Sequence, residues 1–399
     1  MSLLRWIAFL AFCMAISIAF GQEPDPAASQ ELDRFPVQFG GPIQIPVEVF
    51  GEKHNFLLNT GMGMSVFDTR FRDRLARAVV QGKIDVTGVP GNVEHFAAPE
   101  MRCPANGRQE LPSKLGVFCM DLSHIGTEAG VDVPGFVGMD SLVHHVIRIN
   151  LDQAQVTFLK APTLLPAHIE KIRLVNGLPR ILMEVSDEGF QSVEVGAGTV
   201  GNVTSLDHKL FAVLLRKKKI LLRGVIPPNE LQGQSEIRYG VLDSITLGPY
   251  KLHNIHVSEG NSTLIGLDFF RRFDAELDFP NRLAYFRPSS QLNSPERANC
   301  AGMGVGRIDS RTFIIWIWTA GAADQSGIAK GDLIVQVNGV PAAQLPISAI
   351  RQLLSEPGQE LKLSVERDGV VRDVALKLEM FTDPFPVEAP KSRIPQIPD

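Results

Sequence analysis

The chain has no excess of positive charge. Its 39 Lys and Arg stand against 44 Asp and Glu, and the resulting formal charge of −5 argues against a nucleic-acid-binding protein. It is poor in cysteine, with four in 399 residues. Cys13 falls in the N-terminal apolar segment, which leaves Cys103, Cys119 and Cys300, an odd number. Three thiols cannot form a closed disulfide framework; Cys103 and Cys119 either pair or stay as idle thiols. No segment beyond the N-terminus is apolar enough to cross a bilayer. Metal-binding spacings are missing too. His144 and His145 are sequence neighbours, His253 and His256 fall on opposite faces of a strand, and Cys103, Cys119 and His124 match no familiar zinc pattern. Ser65 has no evident base beside it. No metal and no cofactor is expected.

What is present is an ordinary globular balance, 44% hydrophobic and 21% charged, in a length that suggests two or three domains. Arg5, the apolar run from Trp6 to Phe20 and the small-x-small triplet Ala19-Phe20-Gly21 read as a secretory signal cut before Gln22. Export to the periplasm, the cell envelope or the extracellular medium follows, with no stable membrane span after cleavage.

From Ile43 to Val49 apolar and polar residues alternate, a strand pattern, and a turn near Gly51 leads into His54–Leu58. Then comes Phe56-Leu57-Leu58-Asn59-Thr60-Gly61. It resembles the active-site strand and loop of a retropepsin-like aspartic protease, hydrophobic-hydrophobic-Asp-Thr-Gly-Ala, with Asn59 at the Asp position. A helix should follow, with Asp68 as N-cap and Phe71, Leu75 and Val79 on one face. Pro134-Gly135-Phe136-Val137-Gly138-Met139-Asp140 resembles the second signature of that family, and Ile147, Ile149 and Leu151 alternate as a strand.

The order then repeats. Val193-Glu194-Val195 leads into Gly196-Ala197-Gly198-Thr199-Val200-Gly201-Asn202, which puts Gly196 where the family has its second Asp. A helix is expected from Ser205 with Leu206, Leu210, Val213 and Leu214 inward, and Ile265-Gly266-Leu267-Asp268 corresponds to Val137-Gly138-Met139-Asp140. The resemblance implies two lobes in pseudo-two-fold arrangement, as in a pepsin-like protein, with a degenerate dyad at Asn59 and Gly196. Family enzymes hold two carboxylates so close that they share one proton. An Asn amide cannot act as a base near neutral pH, so no catalytic residue is assigned. Asp68 reads as a cap, Asp140 and Asp268 sit where the family carries a non-catalytic Asp, and Glu194 points away by strand alternation.

The last part resembles a PDZ domain. Gly302-Met303-Gly304-Val305 has the form of the carboxylate-binding loop, and Ala320–Gly339 matches the bacterial stretch that ends in Gly331-Asp332-Leu333 and the Asn338-Gly339 turn. Ile347–Leu354 would be the groove helix. Leu361–Glu366 and Val370–Leu378 flank a turn at Arg367-Asp368-Gly369. Such domains bind a peptide as an added strand, which implies peptide binding through Met303, Gly304, Val305, Arg307, Ile314, Trp316 and Ile350. One face of Phe313–Trp318 belongs to the domain core; the other lines the groove or packs on the protease-like body.

The expected chain is mainly β: signal 1–21, flexible leader 22–34, lobes 35–165 and 166–290, linker 291–297, PDZ domain 298–381 and a Pro-rich disordered tail 382–399. Its partners would be polypeptide segments or protein C-termini. The competing readings are an active aspartic-type endopeptidase and a non-catalytic structural envelope protein.

Overall fold

Alternating burial along the strands sets the architecture. The structure, a computed structural model, describes residues 31–37, 41–75, 94–103, 109–113, 116–198, 203–226, 236–294, 296 and 299–378. The first part holds β1 (Glu31–Pro36), β2 (Gln44–Val49), β3 (Glu52–Leu58), β4 (Val66–Asp68), β5 (Glu94–Phe96), β6 (Met101–Cys103), β7 (Gln109–Glu110), β8 (Val117–Met120), β9 (Gly135–Val137), β10 (Val146–Asn150) and β11 (Gln155–Leu159). Three short helices join them: α1 (Arg72–Leu75), α2 (Ser123–Ala129) and α3 (Met139–Leu142). On β2, Ile45, Val47 and Val49 are buried and Glu48 is exposed, the period of a strand with one face on the core.

The second part holds β12 (His168–Lys171), β13 (Arg173–Val175), β14 (Leu178–Val185), β15 (Phe190–Val195), β16 (Thr204–Asp207), β17 (Ile220–Ile226), β18 (Ile237–Leu247), β19 (Tyr250–Gly260), β20 (Leu264–Ile265), β21 (Phe273–Asp278) and β22 (Leu283–Pro288), with α4 (His208–Arg216) and α5 (Leu267–Phe270). Each part builds an eight-stranded sheet, and the pairing order at the centre of the two sheets is the same. In the first, β3 runs parallel to β9, β9 antiparallel to β4, and β4 parallel to β8. In the second, β15 runs parallel to β20, β20 antiparallel to β16, and β16 parallel to β19. Gly138 and Gly266 each lead from the parallel strand into a one-turn helix.

A shared six-stranded sheet, β1-β11-β10-β21-β22-β12, joins the two parts. At its centre β10 pairs antiparallel with β21, Ile147 opposite Leu277 and Arg148 opposite Glu276. The Arg148 guanidinium donates to both carboxylate oxygens of Asp274 across that seam, at 2.9 and 2.7 Å. A bidentate pair of this kind fixes register more than it adds stability. One continuous apolar core runs through both parts, from Phe35 and Ile43 to Phe273 and Phe286.

The third part has its own core and a sheet of β23 (Met303–Ile308), β24 (Arg311–Ile317), β25 (Leu333–Val337), β27 (Glu360–Arg367) and β28 (Val370–Lys377) in that order, with β26 (Val340–Pro341) on β25. Two helices complete it, α6 (Ala322–Gln325) and α7 (Ile347–Leu353). β23 is an edge strand. Asp332, almost fully buried, accepts from Arg367 Nε at 2.6 Å and Nη2 at 2.8 Å, which fixes the Gly331-Asp332 turn against β27.

Two local expectations are corrected and two are refined. Among the described residues regular structure is present from Glu31 rather than from Phe35, because Glu31–Pro36 pairs with β11 and buries Phe35 on Phe158. After the first loop stand a 3-10 turn (Thr69–Phe71) and α1, with Asp68 capping the turn by accepting from Arg70 N; Val79 lies outside the described residues. The second helix begins at His208, since Thr204–Asp207 is claimed by pairing with β19, and its fully buried residues are Phe211 and Leu214. The linker segment is anchored to the body: Leu292 packs on the main core, and the buried Glu296 carboxylate accepts from His256 N at 2.7 Å. The signal segment, residues 22–30 and the tail lie outside the described residues.

Candidate functional site

Strands β3 and β15 deliver two loops to one point. Asn59 follows β3, its N–H bonding Val137 O at 3.0 Å. Its side-chain oxygen accepts from Gly61 N at 2.9 Å, so the amide holds its own loop. Gly196 follows β15, its N–H bonding Ile265 O at 3.0 Å. The fully buried Thr60 joins the loops. Its hydroxyl donates to Val195 O and accepts from Ala197 N at 2.9 Å, and its N–H donates to Ala197 O at 3.1 Å. The backbones come so close that a Cβ on Gly198 would lie 1.7 Å from Leu58 O; with φ +94° this position admits only glycine.

The loop pair holds no carboxylate at either equivalent position. Gly196 is also not an open space: a Cβ there would lie 1.8 Å from Leu264 Cδ1 and 3.1 Å from Ile265 O. The nearby acids are bound elsewhere. Asp140 accepts from Ser65 Oγ at 2.8 Å, and that hydroxyl in turn accepts from Gly138 N at 3.1 Å. Glu194 accepts from Arg180 at 3.1 Å, and its burial raises its pKa despite the guanidinium. Asp68 takes Arg70 N, Arg70 Nε and Leu122 N. Asp268 lies 3.1 Å from Arg271 Nε.

The thiols do not pair. Cys103 and Cys119 are buried and free; Cys103 Sγ faces Pro46 O at 3.4 Å and Cys119 Sγ faces Asp68 O at 3.7 Å. Burial pushes the Cys103 thiol up to about 12 and the Cys119 thiol up to about 11. His256 is a core histidine, held down to about 4 by burial and by Arg223 and Arg272. Glu296 below it is pushed up to about 7 by burial, against the pull of Arg272.

The third part presents the other candidate surface, between the edge of β23 and helix α7. The residues expected to bind peptide divide into four groups. Met303, Val305, Ile314 and Ile350 are all buried in the core of this part, so their side chains build the groove from behind. Gly304 lies under Trp316, where a Cβ would meet the indole at 2.2 Å. Arg307 donates to Thr312 Oγ1 at 2.9 Å and to Ala342 O at 2.9 Å, within its own sheet and the following turn. Trp316 packs against the second part. It stacks with Trp318 and Tyr239 at 5.9 and 6.4 Å between centroids, and Thr319 N bonds Val225 O at 3.2 Å. Of the two roles open to the outer face of β24, the structure takes packing on the body.

Sequence reasoning missed what lies against β23. Helix α2 of the first part packs there. A Cβ on Gly306 would lie 2.8 Å from Thr127 O, and one on Gly130 would lie 2.6 Å from Ile347 Cγ2. Arg351 of α7 donates to Glu128 O, to Ala129 O at 3.5 Å and to Val305 O at 2.9 Å. Burial raises the pKa of Glu128 and lowers that of Arg351. Thr127-Glu128-Ala129-Gly130 has the small and left-handed C-terminus of a helix, but no local signal marks a partner more than 200 residues on.

Comparison with known proteins bears on this third part. The chain is 36% identical over 112 residues to tight junction protein ZO-3 of Mus musculus; the match covers 28% of this chain and 12% of that protein's length. The family model of the PDZ domain matches residues 293–366, so the chain carries a PDZ domain there.

Proposed function

We propose that the protein is an exported, aspartic-protease-like pseudoenzyme whose PDZ domain binds polypeptide C-termini without cleaving them. The observation that carries the binding is the PDZ edge strand β23 set beside α7, the geometry in which such domains add a peptide as a further strand and hold its terminal carboxylate with loop N–H groups. The protease-like reading draws support from the two sheets with one pairing order and from the loops at Asn59 and Gly196 meeting across a shared sheet. The loss of cleavage is supported by the missing acids and by Leu264 standing where a second one would project. Without a carboxylate pair there is no group to take a proton from water and none to polarise the scissile carbonyl. Export rests on Arg5 and the Trp6–Phe20 run.

Fluorescence polarisation of a C-terminal peptide library against the purified protein tests the binding, with C-terminally amidated copies as controls. Binding that depends on the free carboxylate is expected. Indifference to amidation across the library would sink the PDZ reading. Unfolded casein at acid and neutral pH, with and without pepstatin, tests the loss of catalysis; pepstatin-sensitive turnover would establish an active endopeptidase instead.

A further inference from the structure

We propose that helix α2 is an internal clasp that closes the PDZ groove, so that a peptide binds only after α2 has moved off β23. The inference rests on the peptide-binding reading above and specifies how that site is regulated. Strand addition needs the free edge of β23, and here that edge is covered. Thr127 lies against Gly306 so closely that any side chain at 306 would strike its carbonyl at 2.8 Å. Across the groove, Gly130 touches Ile347 at the start of α7, at a distance that leaves no room for a methyl group. Between them Arg351 reaches across the groove from α7. One of its nitrogens serves both the Glu128 carbonyl of the clasp and the Val305 carbonyl of the edge strand. An incoming strand would need the Val305 carbonyl for its own ladder, and that carbonyl is already taken by Arg351, which the clasp carbonyls hold in place.

The clasp is built to lie there. Its other face is anchored: Ala129 and Leu122 are buried with Val133, Phe136 and Leu57, the last of these two residues before Asn59. Gly130 ends the helix in the left-handed region, φ +72°, with its N–H on Gly126 O at 2.8 Å, which turns the chain away at the point where it meets α7. Covering an edge strand with a helix also protects it from unwanted pairing. A groove that is open for only a fraction of the time binds with its intrinsic affinity reduced by that fraction.

Two full-length variants test the clasp. Gly130→Ala places a methyl group against Ile347 and should loosen α2 from α7. It should raise carboxylate-dependent peptide affinity about tenfold and speed amide exchange in 303–308. Arg351→Met keeps the aliphatic stem and removes the donors to Glu128 O, Ala129 O and Val305 O. It too should raise carboxylate-dependent affinity and speed exchange in 303–308. Equal affinity in wild type, Gly130→Ala and Arg351→Met would overturn the clasp. Faster exchange of β23 in the variants, with no binding by any form, would retain the clasp and reject the peptide-binding reading. Should Gly130→Ala fail to fold, Arg351→Met decides alone.

Discussion

Removing the Thr60 hydroxyl should weaken the junction between the two halves of the body more than any surface change nearby. Thr60→Val keeps the shape and the branched side chain. It leaves Ala197 N without its 2.9 Å acceptor and Val195 O without its donor, in a site with no solvent access. A buried donor left unsatisfied costs about 1–3 kcal/mol, and a lost acceptor contact adds roughly 1 kcal/mol. The sum, about 2–4 kcal/mol, exceeds the change of less than roughly 1.5 kcal/mol expected of a volume-conserving apolar swap. For a body of this size it corresponds to a fall in Tm of roughly 5–10 °C. Urea unfolding followed by far-UV circular dichroism measures it, with Thr60→Ser as the variant that keeps the hydroxyl. Serine should lie much closer to wild type than valine does. If valine and serine are equally destabilised, the loss is one of methyl packing and the hydrogen-bonded junction is not what joins the loops.

Placing acids at the two loop positions should not create an enzyme. Asn59→Asp with Gly196→Asp is expected to show no pepstatin-sensitive casein hydrolysis and reduced stability, because the second carboxylate must displace Leu264; measurable turnover would mean that Leu264 gives way. Glu296→Gln should flatten part of the pH profile of stability. A carboxyl raised in the fold to about 7 favours the protonated native state, so its stabilising contribution is complete below the unfolded value near 4.5 and is lost as the pH rises to about 7. His256, lowered to about 4, contributes in the opposite sense, losing stability as pH falls below about 6.5. The quantity to measure is therefore wild type minus Glu296→Gln from pH 4 to 8, and an unchanging difference refutes the assignment. Cys103 and Cys119 should resist iodoacetamide at pH 8 in the native protein and label fully in urea, read by peptide mass; rapid native labelling would contradict their burial.

Much of this was legible where physics is local. Ile45, Val47 and Val49 announce their face by alternation, and the Asn338-Gly339 turn and the Gly331-Asp332 step announce the PDZ strands that flank them. The internal repeat could be followed in order because Gly138 and Gly266 mark the same strand-to-helix step in each half. Strand and helix ends were less legible. Glu31–Leu32 reads as polar leader until β11 is there to pair with it, and Ser205–Leu206 reads as the start of a helix until β19 claims it. Whether the side chains of the PDZ residues line the groove or fill the core stayed open for a related reason. Met303, Val305, Ile314 and Ile350 are apolar whether they line a groove or fill a core, and sequence does not separate the two.

The role of α2 was out of reach for a different reason, and it changes how the missing acids are understood. The clasp and the strands that flank the loop at Asn59 share one small cluster: Leu57 and Val66, on either side of that loop, pack with Leu122, just before α2, and Ala129 of α2. A helix that moves off β23 must carry Ala129 with it or leave a void beside Leu57. Voids in a packed core cost on the order of 24 cal/mol per Å³, so the two surfaces are mechanically joined at Leu57. The loop pair is held together by Thr60, three residues beyond Leu57, and does not need a proton-sharing dyad to stay in place. On the protease-like reading proposed above, the loops at Asn59 and Gly196 therefore need no acid for the body to serve as the frame that positions α2 over the PDZ groove.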